Sequence, residues 1–229
     1  MNILPDFLII GAMKCGTSAL FHTITDHPKV AKTKKEKRFF NLHFDKGLEH
    51  YSNMFVPEMI NCDATPEYLA CANVPERVYQ TVPDVKLIVS FRNPVDRTYS
   101  QYNHHKPKLA AGGTFEQELA PSFDRSATYL TQTHGYILRS RYAEQMRRWL
   151  QFFPLDQFCI INFENFKDNN VKTIKRVEDF LELENTGSSP MPRFKEYPPM
   201  AEETRRRLEE YFAPLNEELY ELIGEDYGW

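Results

Sequence analysis

Strands alternating with helices along these 229 residues predict an α/β fold, with a central, mainly parallel β-sheet flanked by helices on both faces. Three stretches carry that prediction. Phe7 to Ile10 is a short apolar run rich in β-favouring residues; it breaks at Gly11, and Thr17-Ser18-Ala19-Leu20-Phe21 then opens a helix. Leu87 to Phe91 repeats the buried-strand pattern, and Asn93-Pro94 follows as a cap with proline in the first helical turn. Phe158 to Ile161 is another strand, ahead of a helix over Asn170 to Leu183. In such a sheet ligands bind beyond the carboxyl ends of the strands, where the loops after Ile10 and Phe91 both fall.

The remaining elements follow in order. The first helix runs to about His27, before Pro28. Lys29 to Arg38 holds six basic residues around a single acid, Glu36, and ends in Phe39-Phe40, which would anchor it to the core. Such a run is either a solvated loop or an electropositive rim for an anionic ligand; its position straight after the first helix favours the rim. Met59 to Thr65 reads as a short strand ended by Pro66, and Pro75 starts a helix with Asn73 as candidate cap. Lys106 to Gly113 is a loop, a short helix starts at Thr114, and the polar stretch Phe123 to Gly135 reads as a mobile cover for a site. Tyr136 to Phe153 is an amphipathic helix with Ile137, Tyr142, Met146 and Trp149 on its apolar side, and Val171, Ile174, Val177 and Leu181 share a face of the next. Asn185 to Pro199 is loop, and Ala201 to Ile223 is a terminal helix interrupted at Pro214.

A net charge of −4 and a pI near 6.0 argue against a nucleic-acid partner. No apolar run approaches the roughly 18–20 residues of a membrane span. The first strand begins by Phe7, which leaves no room for a signal peptide, and Cys15, Cys62, Cys71 and Cys159 show no metal spacing. Reduced thiols and a cytoplasmic location are the expectation.

The chemistry concentrates at Gly11-Ala12-Met13-Lys14-Cys15-Gly16-Thr17-Ser18. Strand, glycine loop and helix start make a P-loop-like anion cradle: free N–H groups, the positive end of the helix dipole and one lysine. The nucleotide-kinase pattern G-x-x-x-x-G-K-[ST] fits Gly11 and Gly16 but places Thr17 where the phosphate-binding lysine belongs; the lysine has moved to Lys14. The second loop delivers Arg92, which binds anions and repels a metal, and Ser100 faces the same way along the following helix. Two anion sites without a metal suit a nucleotide carrying phosphates at two separate positions.

These residues resemble the sulfotransferases that use 3′-phosphoadenosine 5′-phosphosulfate (PAPS). Lys14-Cys15-Gly16-Thr17-Ser18 is similar to their 5′-phosphosulfate loop, and Arg92-Asn93-Pro94 with Ser100 to their 3′-phosphate motif. Val74 to Tyr79, Trp149 to Pro154 and Glu36-Lys37-Arg38-Phe39-Phe40 resemble segments of the heparan sulfate N- and 3-O-sulfotransferases and of soluble bacterial sulfotransferase-domain proteins. The resemblance covers almost the whole chain and implies a single sulfotransferase domain over residues 1–229. Three departures stand out. Phe194 occupies the glycine position of the family's basic loop, matched loosely by Arg193-Phe194-Lys195. Ala64 stands where some heparan sulfotransferases carry a lysine. No cysteine follows Cys159, so the cysteine pair of the Golgi enzymes is absent.

The resemblance implies in-line sulfuryl transfer from PAPS, without a metal, to a hydroxyl or amine of a small-molecule or carbohydrate acceptor. Lys14 would stabilise charge on the leaving group; Cys15, Gly16, Thr17 and Ser18 would hold the 5′-phosphate; Arg92 and Ser100 the 3′-phosphate; and Arg193, Phe194 and Lys195 would close over the nucleotide. Glu36 would be the base, with His43, His104 and His105 as rivals; His43 and His105 are also candidate acceptor contacts. A P-loop small-molecule kinase and a nucleotide-binding module without turnover are the alternatives.

Overall fold

The computed structural model describes residues 2–106, 113–119, 135–187 and 194–229. Four parallel strands, β1 (Phe7–Gly11), β2 (Cys62–Ala64), β3 (Lys86–Phe91) and β4 (Phe158–Asn162), form one sheet in the order β2-β1-β3-β4. Every residue of β1 is buried, and its alternate side chains feed two cores. Phe7 and Ile9 meet Leu20, Phe21 and Ile24 of α1 (Thr17–Thr25) and, from a later helix, Ile174 and Val177. Leu8 and Ile10 point the other way, into a cluster with Phe39, Phe40, Tyr51, Val78 and Trp149.

The helices follow from local signals. α2 (Gly47–Ser52) presents Tyr51, whose ring stacks on Phe39 at 4.0 Å between centroids. α3 (Val74–Thr81) starts with a proline in its first turn. α4 (Pro94–His105) is capped by Asn93, whose side-chain oxygen accepts from the amides of Val95 (3.0 Å) and Asp96 (3.4 Å). α5 (Phe115–Leu119), α6 (Tyr142–Trp149), α7 (Phe163–Asp168) and α8 (Asn170–Phe180) precede α9 (Glu202–Ile223). α4, α5 and α9 enclose a third cluster around Tyr102, Phe115, Ile137, Leu208 and Phe212.

The structure corrects several expectations. The helix expected from Tyr136 begins only at Tyr142. Leu138–Ser140 is instead a 3₁₀ turn, because the Tyr136 carbonyl accepts from the buried Arg97 guanidinium and so leaves the helical ladder. Arg97 also donates to Ser140 Oγ and, at 2.7 Å, to Gln101 Oε1. α9 runs through Pro214 without a break, since Leu208, Phe212, Leu215 and Leu219 bury one face on both sides of the proline. The strand expected over Met59 to Thr65 shrinks to β2, and Asn73 sits at the start of α3 without a side-chain capping bond. Val171 is 49% exposed, off the face that buries Ile174 and Val177. α2 and α7 had not been expected. The loop over Lys106 to Gly113 and the cover over Phe123 to Gly135 fall largely outside the described residues.

Candidate functional site

Beyond the carboxyl ends of β1 and β3 lies a cleft of about 1050 Å³. Its floor is the loop between β1 and α1. The Ala12 amide donates to the Ser90 carbonyl (2.8 Å), and Ser90 Oγ donates to the Cys15 carbonyl (2.8 Å), so β3 holds the loop at both ends. Both glycines are required. A Cβ on Gly11 would lie 2.7 Å from Leu69 Cβ, and Gly16 has φ +77° with the Phe163 ring 3.0 Å from the position of a Cβ. α1 opens without a side-chain cap or an acid in its first turn, and Gly16, Thr17, Ser18 and Ala19 line the cleft. Uncapped amides with the positive end of a helix dipole are a site for an anion.

Lys14 projects into this space from left-handed backbone (φ 73°). Burial and the charges of Lys195, Arg92 and Arg97 hold its ammonium below the usual lysine range. Arg92 leaves the end of β3 with its guanidinium 4.9 Å from the Phe163 ring centroid, and Ser100 faces the cleft from α4. Phe194 packs on Phe163 (5.0 Å) and Phe166 (6.1 Å), which brings Lys195 to the rim. Among the described residues Lys14, Arg92 and Lys195 make no carboxylate ion pair.

A second part of the cleft is built differently. Glu36 bonds Arg38 at 2.8 Å and lies 3.6 Å from Lys35, whose Nζ donates to Ser18 Oγ at 2.6 Å. Burial opposes its charge, but the bond from Arg38 and the charge of Lys35 outweigh that, so its carboxyl titrates below the usual glutamate range. A buried hub fixes the segment. Asp63 accepts from the hydroxyls of Tyr51 (2.9 Å), Thr65 (2.7 Å) and Tyr68 (2.7 Å). Thr65 Oγ1 and Tyr68 Oη in turn accept the amides of Arg38 (3.2 Å) and Phe40 (3.3 Å). Among the described residues, three of the five non-glycine residues with positive φ, namely Lys14, Glu36 and Arg38, line this one cleft; such backbone clusters at functional sites.

The fold therefore brings Lys14, Gly16, Thr17, Ser18, Glu36, Arg92, Ser100, Phe194, Lys195, His104 and His105 to one cavity. It does not bring Cys15, whose thiol is fully buried against Tyr142 Oη (3.6 Å) and pushed up to about 11 by burial. His43 is not among the lining residues; its ring lies 6.4 Å from that of His50. Arg193 lies outside the described residues. From the expected electropositive rim Lys35, Glu36 and Arg38 line the cleft, whereas sequence reasoning missed Glu67, Asp96, Phe163, Lys167 and Arg205 as lining residues. Asp96 was within reach, one turn before Ser100 on the same helix, whereas Glu67 carried no local signal.

A family model for the sulfotransferase domain matches residues 4–208. Human heparan sulfate glucosamine 3-O-sulfotransferase 6 is 28% identical, over 98% of this chain and 73% of its own length. The solved sulfotransferase from Alicyclobacillus acidocaldarius is 28% identical with a TM-score of 0.83, covering 98% of this chain and 97% of that one. The mouse sulfotransferase SULT7A1, solved with PAP, shares the fold at TM-score 0.57 and 20% identity, over 79% of this chain and 60% of its own.

Proposed function

The chain belongs to the sulfotransferase family, and from that premise we propose that it transfers a sulfuryl group from PAPS to a hydroxyl or amine of a carbohydrate-like acceptor, with the roles that follow. One observation carries the reading: two anion sites, the uncapped start of α1 with Lys14 and the Arg92–Ser100 pair, share one cleft, and among the described residues neither cation makes an ion pair with a carboxylate.

Thr17, Ser18 and the first-turn amides of α1 hold the 5′-phosphate, and Lys14 meets the charge that grows on the bridging oxygen of the departing phosphoadenosine. Arg92 and Ser100 hold the 3′-phosphate and so discriminate against nucleotides that lack it. Lys195 adds charge at the rim, and Phe194 keeps that segment seated on Phe163. Glu36 takes the proton of the acceptor nucleophile; its depressed carboxyl is ionised at neutral pH, and the paired Arg38 orients it. Lys35, bonded to Ser18, connects the base to the cradle. PAPS supplies the sulfuryl group, and the residues supply position and electrostatics, as in phosphoryl transfer.

The test is transfer of labelled sulfate from PAPS to a panel of sugar acceptors, with magnesium-ATP in parallel. Sulfated product in excess EDTA supports the reading. Phosphate transfer from magnesium-ATP without sulfate transfer overturns it in favour of a kinase, and phosphoadenosine binding with no turnover on any acceptor overturns the enzyme.

A further inference from the structure

Glu67 is a second carboxylate in the cleft, close to Glu36, and no role above uses it. Its Oε2 lies 3.9 Å from Arg38 Nε and accepts from Asn41 Nδ2 at 3.4 Å, while its Oε1 lies 3.8 Å from Arg139 Nη2. Arg38 is held at the same time by Glu36 at 2.8 Å, and Arg139 also donates to Met13 Sδ at 3.7 Å. The two guanidiniums at this end are therefore already matched by two carboxylates. A third cation, Lys35, is turned to Ser18 and Glu36.

An anionic acceptor reaching Glu36 would have to break these pairs and then face both carboxylates. Like-charge juxtaposition is a device for refusing a partner. An uncharged hydroxyl compound meets no such barrier: the carboxylate oxygens keep lone pairs to accept its O–H groups, and nothing ionic is displaced. We propose that the acceptor is a neutral polyhydroxyl compound, a sugar without uronate or sulfate groups, and that Glu67 is the specificity-determining residue that keeps anionic sugars out. This rests on the sulfotransferase reading above.

The experiment uses the whole chain saturated with 3′-phosphoadenosine 5′-phosphate (PAP). Calorimetry compares two oligosaccharides of equal length: an N-acetylglucosamine oligomer, and one that alternates glucuronate with N-acetylglucosamine. The wild type binds the neutral oligomer at least about tenfold more tightly, and Glu67→Gln erases most of that preference by admitting the uronate oligomer. Equal or tighter binding of the uronate oligomer by the wild type overturns the proposal, as does an unchanged ratio in Glu67→Gln. If neither oligomer binds the wild type, Glu67→Lys decides: it must create uronate binding, and its failure to do so overturns the assignment. PAP affinity reports an intact fold. Should a variant lose it, the wild-type preference alone decides, whereas a wild type that does not bind PAP counts against the cofactor reading instead.

Discussion

Two parts of the cleft hold similar numbers of cations and use them in opposite ways. At the cradle, Lys14, Arg92 and Lys195 face the cavity with no carboxylate ion pair among the described residues, and burial, with the charges of Lys195 and Arg92, depresses the Lys14 ammonium. On the other side, Arg38 and Arg139 are paired with Glu36 and Glu67. An unneutralised cation costs the free protein something that a bound anion repays, so the cradle is built for a polyanion. A paired cation orients its carboxylate and leaves no charge for a ligand. On the proposed reading, one cleft separates binding of a charged donor from activation of an acceptor.

The largest effect should come from Glu36. Glu36→Gln keeps shape but removes the base, so turnover should fall by about 10²–10⁴-fold while PAP affinity hardly changes. Steady-state kinetics beside PAP titrations check this. Near-normal turnover in Glu36→Gln, together with its loss in His105→Ala, would move the base to the histidine, which also lines the cleft. In the wild type the acid limb of the rate profile should lie below the usual glutamate range, since the base is the ionised form and Glu36 stays ionised to lower pH than usual.

At the cradle, Lys14→Ala should lower turnover by about 10²–10³-fold, the range for loss of one donor to a developing negative charge. Unlike Glu36→Gln, it should weaken PAP as well. A variant with full turnover would show that the α1 amides suffice.

A smaller effect concerns pH. A bound anion raises the depressed Lys14 pKa, so over the interval between its free and bound values binding takes up a proton. PAP affinity should then fall as pH rises, starting below the ordinary lysine range and by at most about tenfold per pH unit. Affinity flat up to pH ~10.4, the ordinary lysine value, would mean that Lys14 does not contact the phosphates.

The cradle was legible in the sequence because its geometry is local. A strand, two glycines that no other residue could replace, and an Asn-Pro cap each leave a signature within a few residues. The Glu36–Glu67 side was legible only in part. Glu36 stood out as a lone acid among bases, but Glu67 reaches Arg38 and Arg139 through the fold. His43 follows Phe39-Phe40 closely in sequence, yet the π turn over Phe39–His43 leaves it outside the cleft lining. The errors in the helices share a cause. Around Tyr136 and at Pro214 tertiary contacts decided the backbone, through Arg97 in one case and a two-sided apolar face in the other, and helical periodicity cannot register either.

The most direct test of the account is wild-type affinity for PAP against 5′-AMP, which lacks the 3′-phosphate, repeated on Arg92→Ala. Arg92 and Ser100 leave unmatched polar groups when that phosphate is missing, so PAP should bind at least about tens of times more tightly than 5′-AMP, and Arg92→Ala should remove most of the difference. Equal affinity for the two nucleotides in the wild type would contradict the assignment of both anion sites to one phosphoadenosine.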